Sequence, residues 1–382
     1  MKVLLDVSPV TLPLSGIGRY ALELARHLPA AGVSELRYLR GAQVLESFDP
    51  AGLAPPAPAA RWRQWIRPLL PYKLALGPYR RRRARALARS LRAYDDHILF
   101  APNFGAPPVG GLSVVTLHDL SVFHFPGFHP RDRVNYLREQ IHAAVERADH
   151  LVTVSGFVRS ELLQLFQLSE DRVTAIPNGV DAVFRPRAGA DIEAVLARHG
   201  LRAGAYLLSV GTIEPRKNLA GLLRAYGLLP AALRRHYPLV IAGAYGWNSA
   251  SLLADIRRLT AAGEGVYLDY VEEGDLGALY AGAAAIGYFS FYEGFGLPVL
   301  EAMASGVPVA CSSSSALPEL SAGCALQADP QDPEAMAAAL RQALEDEAWR
   351  PGAVARGLAR SAQYTWQRTA AAVVAVLRGL ER

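Results

Sequence analysis

The sequence "FYEGFGLPVLEAMASG", residues 291–306, places two glutamates on either side of a glycine-broken turn. The apolar residues before the turn predict a β-strand, and the residues after it predict a short helix that ends at a glycine. Glu293 then lies at the end of the strand, and Glu301 lies about one turn inside the helix. Gly294 and Gly296 permit a tight loop whose backbone amides can point at an anion or a sugar hydroxyl. The stretch therefore predicts a strand–loop–helix unit with two carboxylates beside an anion-binding loop.

Both halves of the chain alternate strands with helices. In the first half "KVLLDVSP", "HILFAP", "SVVTLHDL" and "HLVTVS" are apolar runs that end in polar or turn residues. In the second half "AYLLSVGT", "YPLVIAG", "GVYLDYV" and "PVACS" repeat the scheme. Such alternation predicts parallel, doubly wound sheets. We therefore predict an α/β protein with two Rossmann-like domains facing a central cleft, where ligands of such sheets bind.

The length of the chain, 382 residues, exceeds one ordinary core and fits two domains. We place the N-terminal domain at residues 1–182 and the C-terminal domain at residues 183–364. The link lies near "NGVDAVFRPRAGA", which is rich in proline, glycine and small residues. We expect the last helix, residues 365–382, to pack back on the N-terminal domain.

The composition indicates a globular protein, because 51% of the residues are hydrophobic and 20% are charged. Cys311 and Cys324 cannot build a disulfide framework and lack metal-ligand spacing, which favours a reducing compartment. The N-terminus reaches Asp6 after three apolar residues, too few for a signal peptide. We also find no apolar run of the roughly 20 residues that a membrane span needs. We expect a cytoplasmic location.

One segment, Arg61–Arg92, is rich in arginine, has one lysine and no acidic residue, and carries interleaved tryptophans and leucines. A solvated helix face in an arginine-rich protein explains this pattern. Docking on the anionic inner surface of the cytoplasmic membrane explains it equally well, since basic segments with apolar and aromatic residues bind such lipids. No recognition motif for nucleic acid accompanies the charge, so we expect no nucleic-acid partner.

Two adjacent cations, Arg216 and Lys217, follow the first predicted strand of the second half, in "VGTIEPRKN". Lysine is rare in this chain, which has 40 lysines and arginines together but lysine only at 2, 73 and 217. A lysine where composition favours arginine suggests a point charge on a phosphate. The alternative is a solvated helix start.

Other polar residues follow predicted strands in the first half. Gly16 and Gly18 of "SGIGRY" suit backbone amides that approach a phosphate, although a plain tight turn explains them too. His118 of "TLHDLS" either contacts a sugar or caps the next turn. "IPNGVD" at the interdomain link reads most simply as a turn or hinge.

The two glutamates flank the predicted anion-binding loop, which matches a nucleotide sugar with its ribose, diphosphate and hexose. For Glu301 the alternative is simple stabilisation of its helix start. The sequence has no Asp-x-Asp motif and no cluster of ligands with metal spacing, so we expect no metal and no other cofactor. Arg216, Lys217 and backbone dipoles would then neutralise a leaving phosphate.

Taken together, these motifs resemble those of retaining glycosyltransferases with the GT-B fold, in the large bacterial family that includes O-antigen and capsule mannosyltransferases. The matching pieces run in the expected order across nearly the whole chain: "SGIGRY", "LHDL", "VTVSGFVRSEL", "IPNGVD", "GTIEPRKNL", "YEGFGLPVLEAMASGVPV" and "SALPEL". The glutamate pair combined with the Arg-Lys doublet is the most specific part of the resemblance.

The resemblance implies a role for each matching residue. The implied catalytic residues are His118, Arg216, Lys217 and Glu293. The implied donor-binding residues are Gly16, Gly18, Gly211, Arg216, Lys217, Tyr270, Val271, Glu293, Gly294, Phe295, Gly296, Leu297 and Glu301. Within this set Arg216 and Lys217 would hold the diphosphate, Glu301 the ribose and Glu293 the donor sugar. Tyr270 and Val271 would face the nucleobase, while Asn103 and Phe104 would face the acceptor.

The resemblance also implies a metal-independent retaining transfer of mannose or a rhamnose-type hexose from a GDP-sugar. The departing phosphate would take the acceptor proton in a same-face displacement. The acceptor would be a lipid-linked saccharide used in the synthesis of bacterial surface polysaccharide. The protein would then be peripheral at the inner face of the cytoplasmic membrane. Three alternatives remain: a UDP-sugar donor such as UDP-glucose, an epimerase or phosphorylase on this fold, and a non-catalytic protein that docks on membranes.

Overall fold

The computed structural model describes residues 1–12, 14–50, 87, 90–105, 107, 109–247 and 250–381. Most of the basic segment Arg61–Arg92 therefore lies outside the described residues. No helix in the described part of the chain has the length and apolar character that crossing a membrane requires.

The N-terminal domain is built on a seven-stranded sheet with the order β3-β2-β1-β4-β5-β6-β7. The strands are β1 (Lys2–Asp6), β2 (Glu35–Arg40), β3 (Gln43–Leu45), β4 (Ile98–Ala101), β5 (Ser113–Leu117), β6 (His150–Thr153) and β7 (Val173–Ala175). All neighbours pair in parallel except β2 and β3, which form an antiparallel edge. The helices between them are α1 (Gly16–His27), α2 (Ser121–His124), α3 (Arg131–Arg147) and α4 (Gly156–Phe166).

The C-terminal domain carries a parallel six-stranded sheet with the order β10-β9-β8-β11-β12-β13. Its strands are β8 (Leu207–Val210), β9 (Leu239–Ala242), β10 (Gly265–Leu268), β11 (Ala285–Tyr288), β12 (Val309–Ser312) and β13 (Leu326–Ala328). Its helices are α5 (Ala190–Arg198), α6 (Leu219–Gly227), α7 (Ala231–His236), α8 (Ala250–Ala261), α9 (Glu273–Ala281), α10 (Leu297–Ala304), α11 (Leu317–Ser321), α12 (Pro333–Glu345) and α13 (Trp349–Ser361). The predicted pair of doubly wound α/β domains is confirmed.

Each sheet has one point at which the strand order reverses. In the N-terminal sheet it lies between β1 and β4, and in the C-terminal sheet between β8 and β11. Loops that leave adjacent strands at such a point diverge to opposite faces and leave a crevice at the carboxyl ends of the strands. The two crevices place "SGIGRY" and "PNFG" on one side of the cleft and "EPRKN" and "YEGFG" on the other.

The last helix, α14 (Trp366–Leu380), belongs to the N-terminal core although it follows the C-terminal domain in the chain. Its apolar side chains recur at helical spacing and form one face, and this face is buried against β1 and α1. The buried residues are Trp366, Ala370, Val373, Val374 and Leu377. The chain therefore crosses between the domains twice.

Two local features differ from what the sequence predicts. The stretch "SGIGRYALELARHLPAAG" predicts a helix capped by Gly32, but α1 ends at His27 because Pro29 has no N–H to continue the hydrogen-bond ladder. Gly32, at φ +100°, instead closes the following turn. The short strands β2, β3, β7 and β13 were not predicted, since runs of three to six residues carry little periodicity.

We expect Leu377→Ala to destabilise the N-terminal domain by about 2–5 kcal/mol, because it leaves a cavity in a fully buried site between α14, α1 and β1. Urea denaturation measures the change. Gln367→Ala, on the exposed face of the same helix, is the control and should alter stability by less than about 0.5 kcal/mol. Equal effects of the two substitutions would contradict the placement of α14.

Candidate active site

The centre of the candidate site is formed by two loops that leave β8 and β11, the strands at the reversal point of the C-terminal sheet. The loop after β8 contains a 3₁₀ turn, Pro215–Lys217, which carries both predicted cations. The loop after β11 carries Glu293. The backbone N–H of Phe291 donates to the carbonyl of Arg216 at 2.9 Å and ties the two loops together.

The two cations share the carboxylate of Glu293, which is 6% exposed. Lys217 Nζ donates to Glu293 Oε1 at 2.7 Å, and Arg216 Nη1 donates to Glu293 Oε2 at 3.1 Å. The Tyr288 hydroxyl donates to Glu293 Oε1 at 2.7 Å and accepts from Lys217 Nζ at 2.7 Å. The structure therefore brings together three of the four residues with an implied catalytic role.

The remaining hydrogen-bonding capacity of the cations is small. A guanidinium has five N–H groups. Arg216 directs Nε and Nη2 at Oε1 of Glu214, at 3.1 and 2.8 Å, and Nη1 at the Tyr292 carbonyl, at 2.8 Å, and at Glu293. Among the described residues, one N–H of Arg216 and one of Lys217 thus have no protein acceptor. A phosphate oxygen is a suitable acceptor for such groups.

Burial and pairing shift the pKa values of this cluster. Burial acts to raise the pKa of Glu293, but Lys217 and Arg216 lower it to about 2, so the carboxylate is ionised. Burial lowers the pKa of Lys217, and the charge of Glu293 offsets part of that effect. Burial also acts to lower the pKa of Arg216, but Glu293, Asp119 and Glu214 raise it above its ordinary value. The site therefore contains a firmly charged arginine and a lysine with a weakened hold on its proton.

Glu301 is the fifth of the eight residues of α10, about one turn inside the helix as its position in the sequence predicts, and is buried. Its Oε2 accepts from the hydroxyl of Tyr280 at 2.7 Å. Arg19 of α1 is close enough for its charge to act on Tyr280, and it also pairs with Asp181 of the linker at 2.5 Å. The Glu301 carboxylate is thus placed by its own domain, near a cation of the opposite domain.

The glycine loop before α10 is where the two domains meet. A Cβ atom on Gly294 would lie 1.8 Å from the carbonyl oxygen of His118, so only glycine allows this approach. The Gly294 carbonyl also accepts from Ser155 Oγ of the N-terminal domain at 2.7 Å. Gly296 has φ +107° and lies so close to Leu317 that a Cβ would meet it at 2.4 Å. The loop conformation and the domain contact both require these glycines.

His118 lies half-buried beneath this contact. Its Nε2 lies 2.8 Å from the carbonyl of Pro102, which can only accept, so Nε2 carries the hydrogen. Burial lowers the pKa of His118, and the neutral ring then presents Nδ1 as an acceptor. Edge-on contacts with Tyr20 at 5.0 Å and Phe104 at 6.3 Å fix the plane of the ring.

The other residues with an implied role in donor binding are placed as follows. Gly16 is at the start of α1, opposite Leu297, whose Cδ1 would lie 3.6 Å from a Cβ on that glycine. The N–H of Gly18 was expected to point at a phosphate. It instead donates to Ser15 Oγ at 3.1 Å, a bond that caps the start of α1. Gly211, at φ +147°, turns the chain after β8.

The implied nucleobase and acceptor residues differ in exposure. Tyr270 is 60% exposed after β10, and Val271 is half-buried against the core of the C-terminal domain. Asn103 Oδ1 accepts from the N–H of Phe104 at 2.9 Å and shapes its own loop. The Phe104 ring is buried in the N-terminal core beside His118. Phe295 is likewise buried, so only its backbone can contact a ligand.

Sequence reasoning missed the residues that hold the domains together. The Tyr292 hydroxyl donates to Glu161 at 2.5 Å and accepts from the N–H of Leu120 at 3.1 Å. Glu319 accepts from the first two N–H groups of α4, at 2.9 and 2.8 Å, across the cleft. Trp247 Nε1 donates to the Phe128 carbonyl at 2.6 Å. No local pattern marks such pairs, because the partners lie 119 to 172 residues apart.

Three polar residues of the cluster were also missed: Glu214, Tyr288 and Asp119. Burial acts to raise the pKa of Asp119, but Arg216 and the hydrogen bonds from Ser121 lower it. Tyr288 is the last residue of β11, and Asp119 and Glu214 follow β5 and β8 within a few residues. Position at a strand end was a signal that could have identified them. Within the described ranges, no group of three or more histidines, cysteines and carboxylates could hold a metal ion.

We expect Gly294→Ala to push the domains apart, because its Cβ would overlap the His118 carbonyl and such atoms stay beyond 3.0 Å of their neighbours. The cost should be about 1–3 kcal/mol, typical of overpacking. Small-angle X-ray scattering should show a larger radius of gyration, and thermal unfolding a lower midpoint. Gly227→Ala, which meets nothing within 4 Å, is the control. An unchanged radius for Gly294→Ala would contradict the closed contact.

The ionised Glu293 carboxylate should stabilise the fold in a pH-dependent way. Because its pKa falls from 4.5 to about 2 on folding, the contribution is complete above about pH 4.5 and is lost as the pH falls toward 2. Its size is on the order of 3 kcal/mol. We expect urea denaturation of Glu293→Gln to show less loss of stability between pH 5 and pH 3 than the unsubstituted protein. Parallel curves for the two proteins would show that Glu293 does not carry this interaction.

Comparison with known proteins matches the chain to glycosyltransferases. Residues 14–184 match the family model described as Glycosyltransferase Family 4, and residues 195–357 match the model described as Glycosyl transferases group 1. The chain is 40% identical to the O-antigen chain mannosyltransferase B of Escherichia coli over 368 residues, 96% of this chain and 97% of that protein.

Solved structures share the fold at low sequence identity. HepE of Anabaena, crystallised with UDP and glucose, superposes with a TM-score of 0.73 at 17% identity, covering 99% of each chain. WaaG, a glycosyltransferase involved in lipopolysaccharide biosynthesis, superposes with a TM-score of 0.66 at 17% identity, covering 97% of this chain and 99% of WaaG. The chain therefore belongs to the group 1 family of glycosyltransferases with the GT-B fold.

Proposed function

We propose that this glycosyltransferase moves mannose, or a related rhamnose-type hexose, from a GDP-sugar to a saccharide acceptor, with retention of the anomeric configuration. The observation that carries the proposal is the buried cluster in which Arg216 and Lys217 share the carboxylate of Glu293 at the reversal point of the donor-side sheet. Charge of this kind is suited to a diphosphate leaving group. The 40% identity to an O-antigen mannosyltransferase over nearly the full chain supports the choice of sugar and an acceptor in O-antigen synthesis.

The roles follow from charge and hydrogen-bonding capacity. Arg216 and Lys217 each have one N–H to give to diphosphate oxygens, and the ammonium group of Lys217 is a compact point charge. Glu301 accepts hydrogen bonds from the ribose hydroxyls, since a carboxylate has two oxygens for vicinal hydroxyls. The neutral His118 accepts a sugar hydroxyl at Nδ1, because Nε2 is committed to Pro102.

The reaction we propose is a same-face displacement. The acceptor oxygen forms a bond to the anomeric carbon while the bond from that carbon to the diphosphate oxygen breaks, and the acceptor proton passes to the leaving diphosphate. Negative charge then grows on the diphosphate, where Arg216 and Lys217 stabilise it without a divalent ion or other cofactor. Contact between the domains at Gly294 supports exclusion of water from the reacting sugar.

The acceptor side is proposed from the N-terminal domain. Asn103 and Phe104 follow β4 at the reversal point of that sheet, where an acceptor would enter the cleft. A lipid-linked acceptor agrees with docking of Arg61–Arg92 on the inner surface of the cytoplasmic membrane. That segment lies largely outside the described residues, so its sequence alone supports this part of the proposal.

The test is a panel of GDP- and UDP-sugars with lipid-linked saccharide acceptors, with products identified by mass spectrometry and anomeric configuration by NMR. We expect transfer from GDP-mannose or a GDP-deoxyhexose, retained configuration, and unchanged rates in EDTA. Arg216→Gln should lower kcat by about 10²–10³-fold, as loss of a charge-stabilising donor does. Glu301→Gln should mainly raise the donor KM.

The matched control is Arg234→Gln, which removes an arginine–glutamate pair of the same domain outside the site, and it should keep the rate of the unsubstituted protein. Transfer from UDP-sugars and not from GDP-sugars would show that the donor nucleotide is UDP and would reject the proposed GDP. Transfer at the same rate by Arg216→Gln would reject the assigned site.

A further inference from the structure

Glu214 is a buried carboxylate to which the proposed reaction gives no role. It is 5% exposed and lies two residues before Arg216. Its Oε1 accepts two hydrogen bonds from the guanidinium, from Nε and Nη2. Burying a carboxylate is costly unless it is paired, so its position directly beside the cations assigned to the diphosphate needs an explanation.

The charges of the cluster show what donor binding must change. Arg216 and Lys217 are balanced by Glu214 and Glu293, and Asp119 adds a further negative charge nearby. A diphosphate brings additional negative charge to the same cations. Glu293, which touches both of them, competes with the diphosphate for this contact. The resemblance implies that Glu293 binds the donor sugar, and in that role its carboxylate would turn away from the cations and remove this competition.

Arg216 then keeps two protein partners. The carbonyl of Tyr292 holds one N–H, and Glu214 holds the edge formed by Nε and Nη2. A contact along this edge fixes the plane of the guanidinium as well as its distance, since the five N–H groups form a rigid fork. A long side chain without such a contact loses rotamer entropy each time it is ordered.

We propose that Glu214 is a positioning residue of the transfer reaction, which holds the guanidinium of Arg216 directed at the diphosphate while Glu293 binds the donor sugar. The inference is based on the proposed function and deepens it. Glu214 acts through Arg216 and does not touch the donor. Its effect on transfer therefore depends on the presence of Arg216.

A double-mutant cycle tests this dependence. The variants are Glu214→Gln, Arg216→Gln and the double substitution, each assayed for kcat with the transferred sugar and for GDP and UDP binding by calorimetry. We expect Glu214→Gln to lower kcat by about 10–100-fold, by analogy with residues that orient the ligands of a metal site. In the Arg216→Gln background the same substitution should change kcat by less than about 2-fold. Glu214→Ala, measured alongside, covers the case in which glutamine keeps part of the contact.

The matched control is the cycle Glu264→Gln with Arg234→Gln, a pair at 3.0 Å in the same domain outside the site. Its members should leave kcat unchanged. Thermal unfolding of every variant separates loss of positioning from loss of fold, since a purely structural role would lower stability and give additive effects on kcat. If the unsubstituted protein is active and the effects of the two substitutions on kcat are additive, the positioning role of Glu214 is overturned and the proposed function is not. An unsubstituted protein that binds neither nucleotide and transfers no sugar would overturn the proposed function and this inference with it.

Discussion

The buried carboxylate of Glu293 bonds to two cations at once, and the arrangement of both loops around it depends on that contact. Three charged side chains share a region from which water is largely excluded, so each would be costly to bury alone. Pairing lowers the pKa of Glu293 to about 2 and keeps Arg216 charged. The loops after β8 and β11 are thereby joined by side chains as well as by the backbone bond from Phe291 to Arg216. Glu214 also bonds to Arg216, and Tyr288 also bonds to Lys217.

The same loop makes the closest contact between the domains. Gly294 follows Glu293 directly, and its missing side chain lets the N-terminal backbone at His118 approach. Hydrogen bonds from Ser155, Tyr292 and Trp247 accompany this approach. Glu293, which bonds to both cations, and Gly294, which makes the domain contact, are joined by one peptide bond. Under the proposed function, the cations assigned to the diphosphate therefore lie next to the contact that would exclude water.

The family assignment explains the fold and the class of reaction. The geometry shows which side chains are the cations and which neighbouring acceptors hold them in place. Arg216 and Lys217 have few N–H groups left for a ligand because protein acceptors take the others. Because so few N–H groups remain, the binding of a ligand depends on the orientation of each of them. This restricted capacity also gives a physical reason for burying acidic residues beside the site that we propose for an anionic donor.

The sequence by itself determined the two doubly wound domains, because alternation of apolar strands and amphipathic helices is a local pattern. It also placed Arg216, Lys217, Glu293 and Glu301 at strand ends and a helix start, where local order along the chain is sufficient. Only the tertiary structure decided which groups meet. Lys217 and Glu293 are 76 residues apart and become neighbours because β8 and β11 are adjacent in the sheet. The order of strands depends on long-range packing, and no local pattern encodes it. The bond between Lys217 and Tyr288 and the contact between Gly294 and His118 therefore emerged from the fold alone.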